Sequence, residues 1–140
     1  MKKVAIVFVL IIIGIQFFSV NKTNPPVNEG LDAPPEIKGI FKRACYDCHS
    51  NETNWPWYAS VAPVSWLVAD DVEEGRKHLN FSEWGNLTRK KIAHTKEEIW
   101  DEVKNDDMPL WQYSLIHSKA RLSQKDKELI REWTGQGEAE

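Results

Sequence analysis

The sequence predicts an all-α fold, and three observations lead there. Apolar residues recur at the i, i+3, i+4, i+7 spacing of a helix face, most clearly at Ile37, Ile40, Phe41 and Ala44. Two later stretches carry helix-start signals, Thr95 with Glu98 and Ser123 with Asp126. No run alternates apolar with polar residues as a half-buried strand does, and no segment repeats. At 140 residues the chain is expected to form one domain with an N-terminal appendage.

Residues 1–20 read as a targeting segment. Lys2 and Lys3 precede an uncharged stretch from Val4 to Val20, broken only by Gly14, Gln16 and Ser19. The stretch is at the short end of what spans a bilayer, and it ends without a small-residue cleavage pattern. An N-terminal membrane helix acting as an uncleaved signal anchor is therefore expected, with a cleaved signal peptide as the alternative. The paired lysines would stay cytoplasmic and the rest of the chain would lie across the membrane. Residues 21–35, with Pro25-Pro26 and Pro34-Pro35, read as a proline-rich linker of at most about 50 Å.

The main domain is expected over 36–135, with a short tail at 136–140. Its first helix, Glu36 to Ala44, follows a proline pair suited to opening it and runs directly into Cys45. Ser50 to Ala62 is a loop holding Trp55-Pro56-Trp57-Tyr58. Pro63 opens a second helix toward His78, with Val64, Leu67, Val68 and Val72 as its inner face and most of its acids outward. Leu79 to Gly85 is a turn carrying Phe81 and Trp84. A third helix is expected from about Lys96 to Lys104, and a last one from Ser123 to Gly135 with Leu129, Ile130 and Trp133 inward.

The chemistry concentrates in Cys45-Tyr46-Asp47-Cys48-His49. These are the only two cysteines, three positions apart, with a histidine directly after the second. C-x-x-C-H is the attachment signature of c-type haem. Two thiols so spaced can each form a thioether with one porphyrin vinyl group, and the next residue then offers an imidazole to the iron as proximal ligand. Two other readings stay open. A thioredoxin-like dithiol normally follows a strand, whereas the residues before Cys45 look helical. A zinc site would need closure by His78, His94 or His117, none of which forms the usual paired-histidine spacing.

Composition narrows the partners. The net charge is −3, and −5 once Lys2 and Lys3 are set aside with the first twenty residues. No basic stripe suits nucleic acid, so a redox protein partner is expected, together with a membrane contact through the N-terminal helix. Arg89-Lys90-Lys91 reads as a solvated face. Seven tryptophans suit the wall of a flat apolar cofactor, and equally an ordinary core.

Several stretches together resemble one family. Cys45 to Asn51, Trp55 to Tyr58, Pro63 to Trp66, Glu74-Gly75-Arg76, Leu79 to Trp84, Met108-Pro109 and Ala120 to Ser123 are similar to the bacterial haem-binding domain family, over about residues 36–134. The resemblance implies a small cytochrome c-like helical domain around one covalently attached haem c, and no particular reaction. Met108, 59 residues after His49 and followed by proline, is the leading distal iron ligand, with His117 or an open position as alternatives. Trp55, Trp57, Tyr58 and Arg76 are candidate haem contacts, or plain packing residues. The expectation is a single-haem electron carrier before an enzyme, with enzymatic activity left open, on the periplasmic side of the bacterial inner membrane. A haem sensor, a peroxidase-like enzyme using His117 and a zinc-binding structural module are the alternatives.

Overall fold

The computed structural model describes residues 1–136, and all regular structure among them is helical. Seven α-helices follow one another: α1 (Lys2–Ile15), α2 (Pro35–Ala44), α3 (Tyr46–His49), α4 (Val64–His78), α5 (Arg89–Lys104), α6 (Trp111–Ile116) and α7 (Gln124–Thr134). Short 3-10 turns at Trp57–Ser60, Phe81–Asn86 and Ser118–Ala120 occupy the connections. The tail expected at 136–140 lies, apart from Gln136, outside the described residues.

Helix ends follow local chemistry. Pro35 sits in the first turn of α2, where its missing N–H forfeits no bond. Ser123 and Asp126 form a complete capping box: the Asp126 N–H donates to Ser123 Oγ at 3.2 Å and the Ser123 N–H to Asp126 Oδ2 at 2.8 Å. Gly135 closes α7 with a φ of 81°, a left-handed conformation that favours glycine. Thr95 and Glu98 behave otherwise. The helix expected from Lys96 begins earlier, at Arg89, capped by Thr88, whose hydroxyl accepts the Lys91 N–H at 3.2 Å. Thr95 is therefore a buried mid-helix residue. Four-residue motifs of this kind cannot by themselves distinguish a helix start from a helix interior.

The core is built around α2. Ile37, Ile40, Phe41 and Ala44 are all buried, as the spacing predicts. Phe41 stacks on Phe81 at 4.9 Å, Phe81 stacks on Tyr46 at 5.2 Å, and Trp133 closes edge-on against Phe41 at 5.3 Å. Ile99 and Val103 from α5 and Ile130 from α7 join the same cluster. Each such side chain contributes about 1.5–3 kcal/mol when fully buried.

Helix α4 turns a different face inward than its apolar residues suggest. Of Val64, Leu67, Val68 and Val72 only Val72 is buried, and Leu67 is 66% exposed. The buried residues are Ser65, Val72 and Gly75. Small residues win because α4 lies almost in backbone contact with α3. A Cβ added to Gly75 would sit 2.8 Å from the Cys48 carbonyl oxygen and 3.1 Å from its Cβ.

The N-terminal segment corrects the sequence reading. Helix α1 has 14 residues, a rise of about 21 Å, against a hydrocarbon core of about 30 Å. Among the described residues no helix is long and apolar enough to cross a membrane, so the signal anchor, its membrane contact and the inner-membrane localisation built on it are not supported. The apolar run breaks at Gln16, which turns back onto the domain. Its Nε2 donates to the Ala62 carbonyl at 3.0 Å, and its Oε1 accepts the Ala62 N–H at 3.0 Å. Residues 21–34 form no helix or strand, Pro35 already belongs to α2, and the segment is strapped down. Asn51 Nδ2 donates to the Pro26 carbonyl at 2.8 Å, the Gly85 N–H donates to the Glu29 carbonyl at 2.9 Å, and Leu31 is buried.

Candidate functional site

Helix α2 delivers Cys45, and one turn of helix does the rest. The N–H groups of Cys48 and His49 both donate to the Cys45 carbonyl, at 3.2 and 2.8 Å. That turn sets Cys45, Cys48 and His49 along the wall of one cavity of about 470 Å³. Phe41, Ala44, Leu79, Phe81, Ile99 and Val103 supply its apolar lining.

His49 is held in a defined state. Its Nδ1–H donates to the Gly75 carbonyl at 2.9 Å, with the Leu79 carbonyl at 3.2 Å. Two carbonyl acceptors require the hydrogen on Nδ1, which leaves the Nε2 lone pair free to act as a ligand. Burial lowers the imidazole pKa despite those two bonds, so the neutral, metal-binding form is favoured. The tight α3–α4 approach at Gly75 is what brings its carbonyl within reach.

The thiols are quiet. Burial, followed by the charge of Cys48, pushes Cys45 up to about 12. Burial, followed by Asp71 and Asp47, does the same for Cys48. Dithiol exchange needs an accessible thiolate of depressed pKa, and the described residues include no strand to frame a thioredoxin-like site. Zinc fares no better: among the described residues no three His, Cys, Asp or Glu side chains gather in a way that could hold a metal ion. His94 lies on an exposed helix flank beside Glu98 at 3.3 Å, whereas His78, also largely exposed and 4.0 Å from Glu74, belongs to the lining of the cavity.

The distal candidates separate cleanly. After α5, the N–H groups of Asp107 and Met108 both donate to the Glu102 carbonyl, at 3.0 and 3.2 Å. This turn brings Met108, Pro109 and Leu110 to the lining of the cavity that holds Cys45, Cys48 and His49. His117 lies instead on a separate, open cleft with Lys42, Arg43 and Lys119. Its Nε2 shares a 2.5 Å hydrogen bond with the Tyr58 hydroxyl, and its ring stacks on Tyr113 at 4.3 Å. Tyr113 lines both spaces and donates its hydroxyl to Asp47 Oδ2 at 2.6 Å. Burial, and then that carboxylate, raise the phenol well above its ordinary range, so it stays a donor.

None of Trp55, Trp57, Tyr58 and Arg76 lines the cavity. Trp57 is 80% exposed, Tyr58 is bonded to His117, and the buried Trp55 Nε1 has no hydrogen-bond partner. Arg76 is a structural clasp. Its Nε donates to the Ser50 carbonyl at 2.7 Å, and its terminal nitrogens reach the Thr23 carbonyl, Asn24 Oδ1 and Thr53 Oγ1. Sequence reasoning singled out these polar and aromatic groups but missed Gly75, Thr95 and Tyr113. Gly75 stood in a motif already noted, yet its role depends on which helix it faces.

The chemistry of the donor set fits a haem: two thiols, an imidazole with a free Nε2 and a thioether share one apolar cavity whose wall a single Cβ at residue 75 would disturb. The same cavity is lined by Asp71, Glu74, Glu98 and Glu102 and by no lysine or arginine. No curated protein and no solved structure matches the chain. A family model described as the haem-binding domain matches residues 10–136. The chain therefore belongs to the haem-binding domain family, and it is a haem-binding protein.

Proposed function

We propose that this chain carries a single haem c, attached through Cys45 and Cys48 and ligated by His49 and Met108, and that it transfers electrons on the periplasmic side, with no membrane span invoked. The observation that carries the reading is the shared cavity: Met108 lines it with both cysteines and His49, while His117 is bonded to Tyr58 outside it. When bound, the haem supplies a one-electron iron couple. His49 would hold the proximal position through Nε2, fixed by Gly75 and Leu79. Met108 would close the distal position with a neutral, soft thioether that favours ferrous iron. The four lining carboxylates act in the opposite sense, favouring the more positive oxidation state, and they suit a positively charged redox partner.

A peroxidase-like site would need an acid–base group beside an open distal position. His117, the sequence candidate for that role, lies off the cavity. The test is a pair of variants. Met108→Ala should abolish the sulfur-to-iron charge-transfer band of the ferric protein, lower the midpoint potential and admit carbon monoxide to the ferrous form. His117→Ala should change none of these. The opposite pattern would establish bis-histidine ligation, and ready carbon monoxide binding by the wild type would favour a sensor or enzyme.

A further inference from the structure

The segment that presents Met108 is poorly anchored by apolar packing. Helix α6 contains no buried residue, and Trp111, Leu115 and Ile116 are 76, 65 and 64% exposed. What holds 108–117 in place is a small set of polar tethers. The Met108 N–H reaches the Glu102 carbonyl at 3.2 Å, Arg121 Nε donates to the Ser114 carbonyl at 3.0 Å, and His117 pairs with Tyr58 through its ring while its carbonyl accepts the Ala120 N–H at 2.9 Å. A further one, from the Tyr113 hydroxyl to Asp47 Oδ2, differs from these in where it lands. Asp47 sits between the two cysteines of the attachment motif.

Asp47 is itself fixed. Its Oδ1 accepts the Asn54 N–H at 3.0 Å, and its carbonyl accepts the Thr53 hydroxyl at 2.8 Å. Thr53 is in turn held by Arg76 at 2.8 Å. The acceptor therefore belongs to the packed side of the molecule and the donor to the loosely packed side. Hydrogen bonds to an ionised acceptor are the stronger kind, and this one spans from the cysteine turn to the segment five residues beyond Met108.

We propose that Tyr113 is a positioning residue: its hydrogen bond to Asp47 latches the Met108 segment over the cavity and so sets how readily the distal position opens. The inference rests on Met108 as the distal ligand. Asp47 and Tyr113 thereby couple the attachment turn to the distal side through a contact of the protein alone, beside the link that the haem would make.

The test uses the matured holoprotein. Tyr113→Phe keeps the ring and removes only the donor. Carbon monoxide association with the ferrous form should rise by about tenfold to a hundredfold, the range that loss of one charge-assisted hydrogen bond corresponds to. Amide hydrogen exchange over 108–117 should accelerate by a similar factor, while exchange in the 37–49 region stays unchanged. Asp47→Ala, which also frees the Asn54 N–H, should open 108–117 at least as much as Tyr113→Phe, the double variant should be no worse than Asp47→Ala, and Asp47→Asn, which can still pair with the phenol, should restore much of the protection. Unchanged exchange over 108–117 in Tyr113→Phe overturns the latch, whichever residue binds iron. If Met108→Ala opens the site to carbon monoxide and Tyr113→Phe does not, the latch fails and the ligand assignment stands. If Met108→Ala has no effect, the ligand assignment itself fails.

Discussion

Gly75→Ala places one methyl group where α4 meets the attachment turn. The new Cβ would stand 2.8 Å from the Cys48 carbonyl oxygen and 3.1 Å from both its carbonyl carbon and its Cβ, where ordinary contact begins at 3.4 Å. These atoms are backbone or tied to it, so none can rotate aside, and the two helices must part. Overpacking of this kind costs about 1–3 kcal/mol, and weakening the His49 bond to the Gly75 carbonyl adds about 1 kcal/mol. Helix propensity returns about 1 kcal/mol on replacing glycine by alanine. The net expectation is a loss of about 1–3 kcal/mol. Gly39 in α2 is the control, because nothing lies within 4 Å of its added Cβ. Gly39→Ala should therefore gain up to about 1 kcal/mol. Denaturant unfolding of the two holoproteins measures the difference, and the midpoint potential reports whether His49 has moved in Gly75→Ala. Equal or greater stability for Gly75→Ala than for Gly39→Ala would refute the close approach as the reason for glycine.

Arg76→Leu should destabilise the protein by about 1–3 kcal/mol, by stranding the buried Ser50 carbonyl, yet leave the visible spectrum and the potential unchanged; a shifted potential would return Arg76 to the haem. Asp126 offers a pH test. Burial raises its carboxyl, but hydrogen bonds from Arg43 and Ser123 outweigh that and hold it below the usual range. A depressed folded pKa contributes stability above the unfolded value of about 3.9, and the contribution is lost as pH falls through the folded pKa. Asp126→Asn should thus cost about 1 kcal/mol near pH 7 through the damaged cap, and the gap to wild type should vanish in acid when the two melting curves are compared.

What the sequence made legible follows from how local each signal is. The α2 face, the Ser123–Asp126 cap and the Gly135 stop each depend on residues within a few positions, and all three form as read. The cysteines and His49 are likewise one turn of chain. Met108 stood out because methionine is rare here and proline follows it, and the structure places it on the cavity lining. Long-range geometry was not readable. Leu67 looks like a core residue until Gly75 and Ser65 are seen to set the inward face of α4. Thr95 and Glu98 spell a capping box that the longer apolar periodicity of α5 overrides. Arg76 looks like an anion partner for a cofactor until its four acceptors are found in the strap and loop around it. The seventeen-residue apolar run looks like a span until Gln16 pairs with Ala62, forty-six positions away.

The central claim is covalent haem at Cys45 and Cys48, and intact mass after denaturation tests it most directly. Protein matured with the export and attachment machinery should retain, after unfolding and acid-acetone extraction, the mass of one haem on the polypeptide. The double variant Cys45→Ala, Cys48→Ala should lose it to the organic phase or never acquire it. A wild-type chain that extracts to its bare polypeptide mass, both cysteines still reactive as free thiols, would contradict attachment.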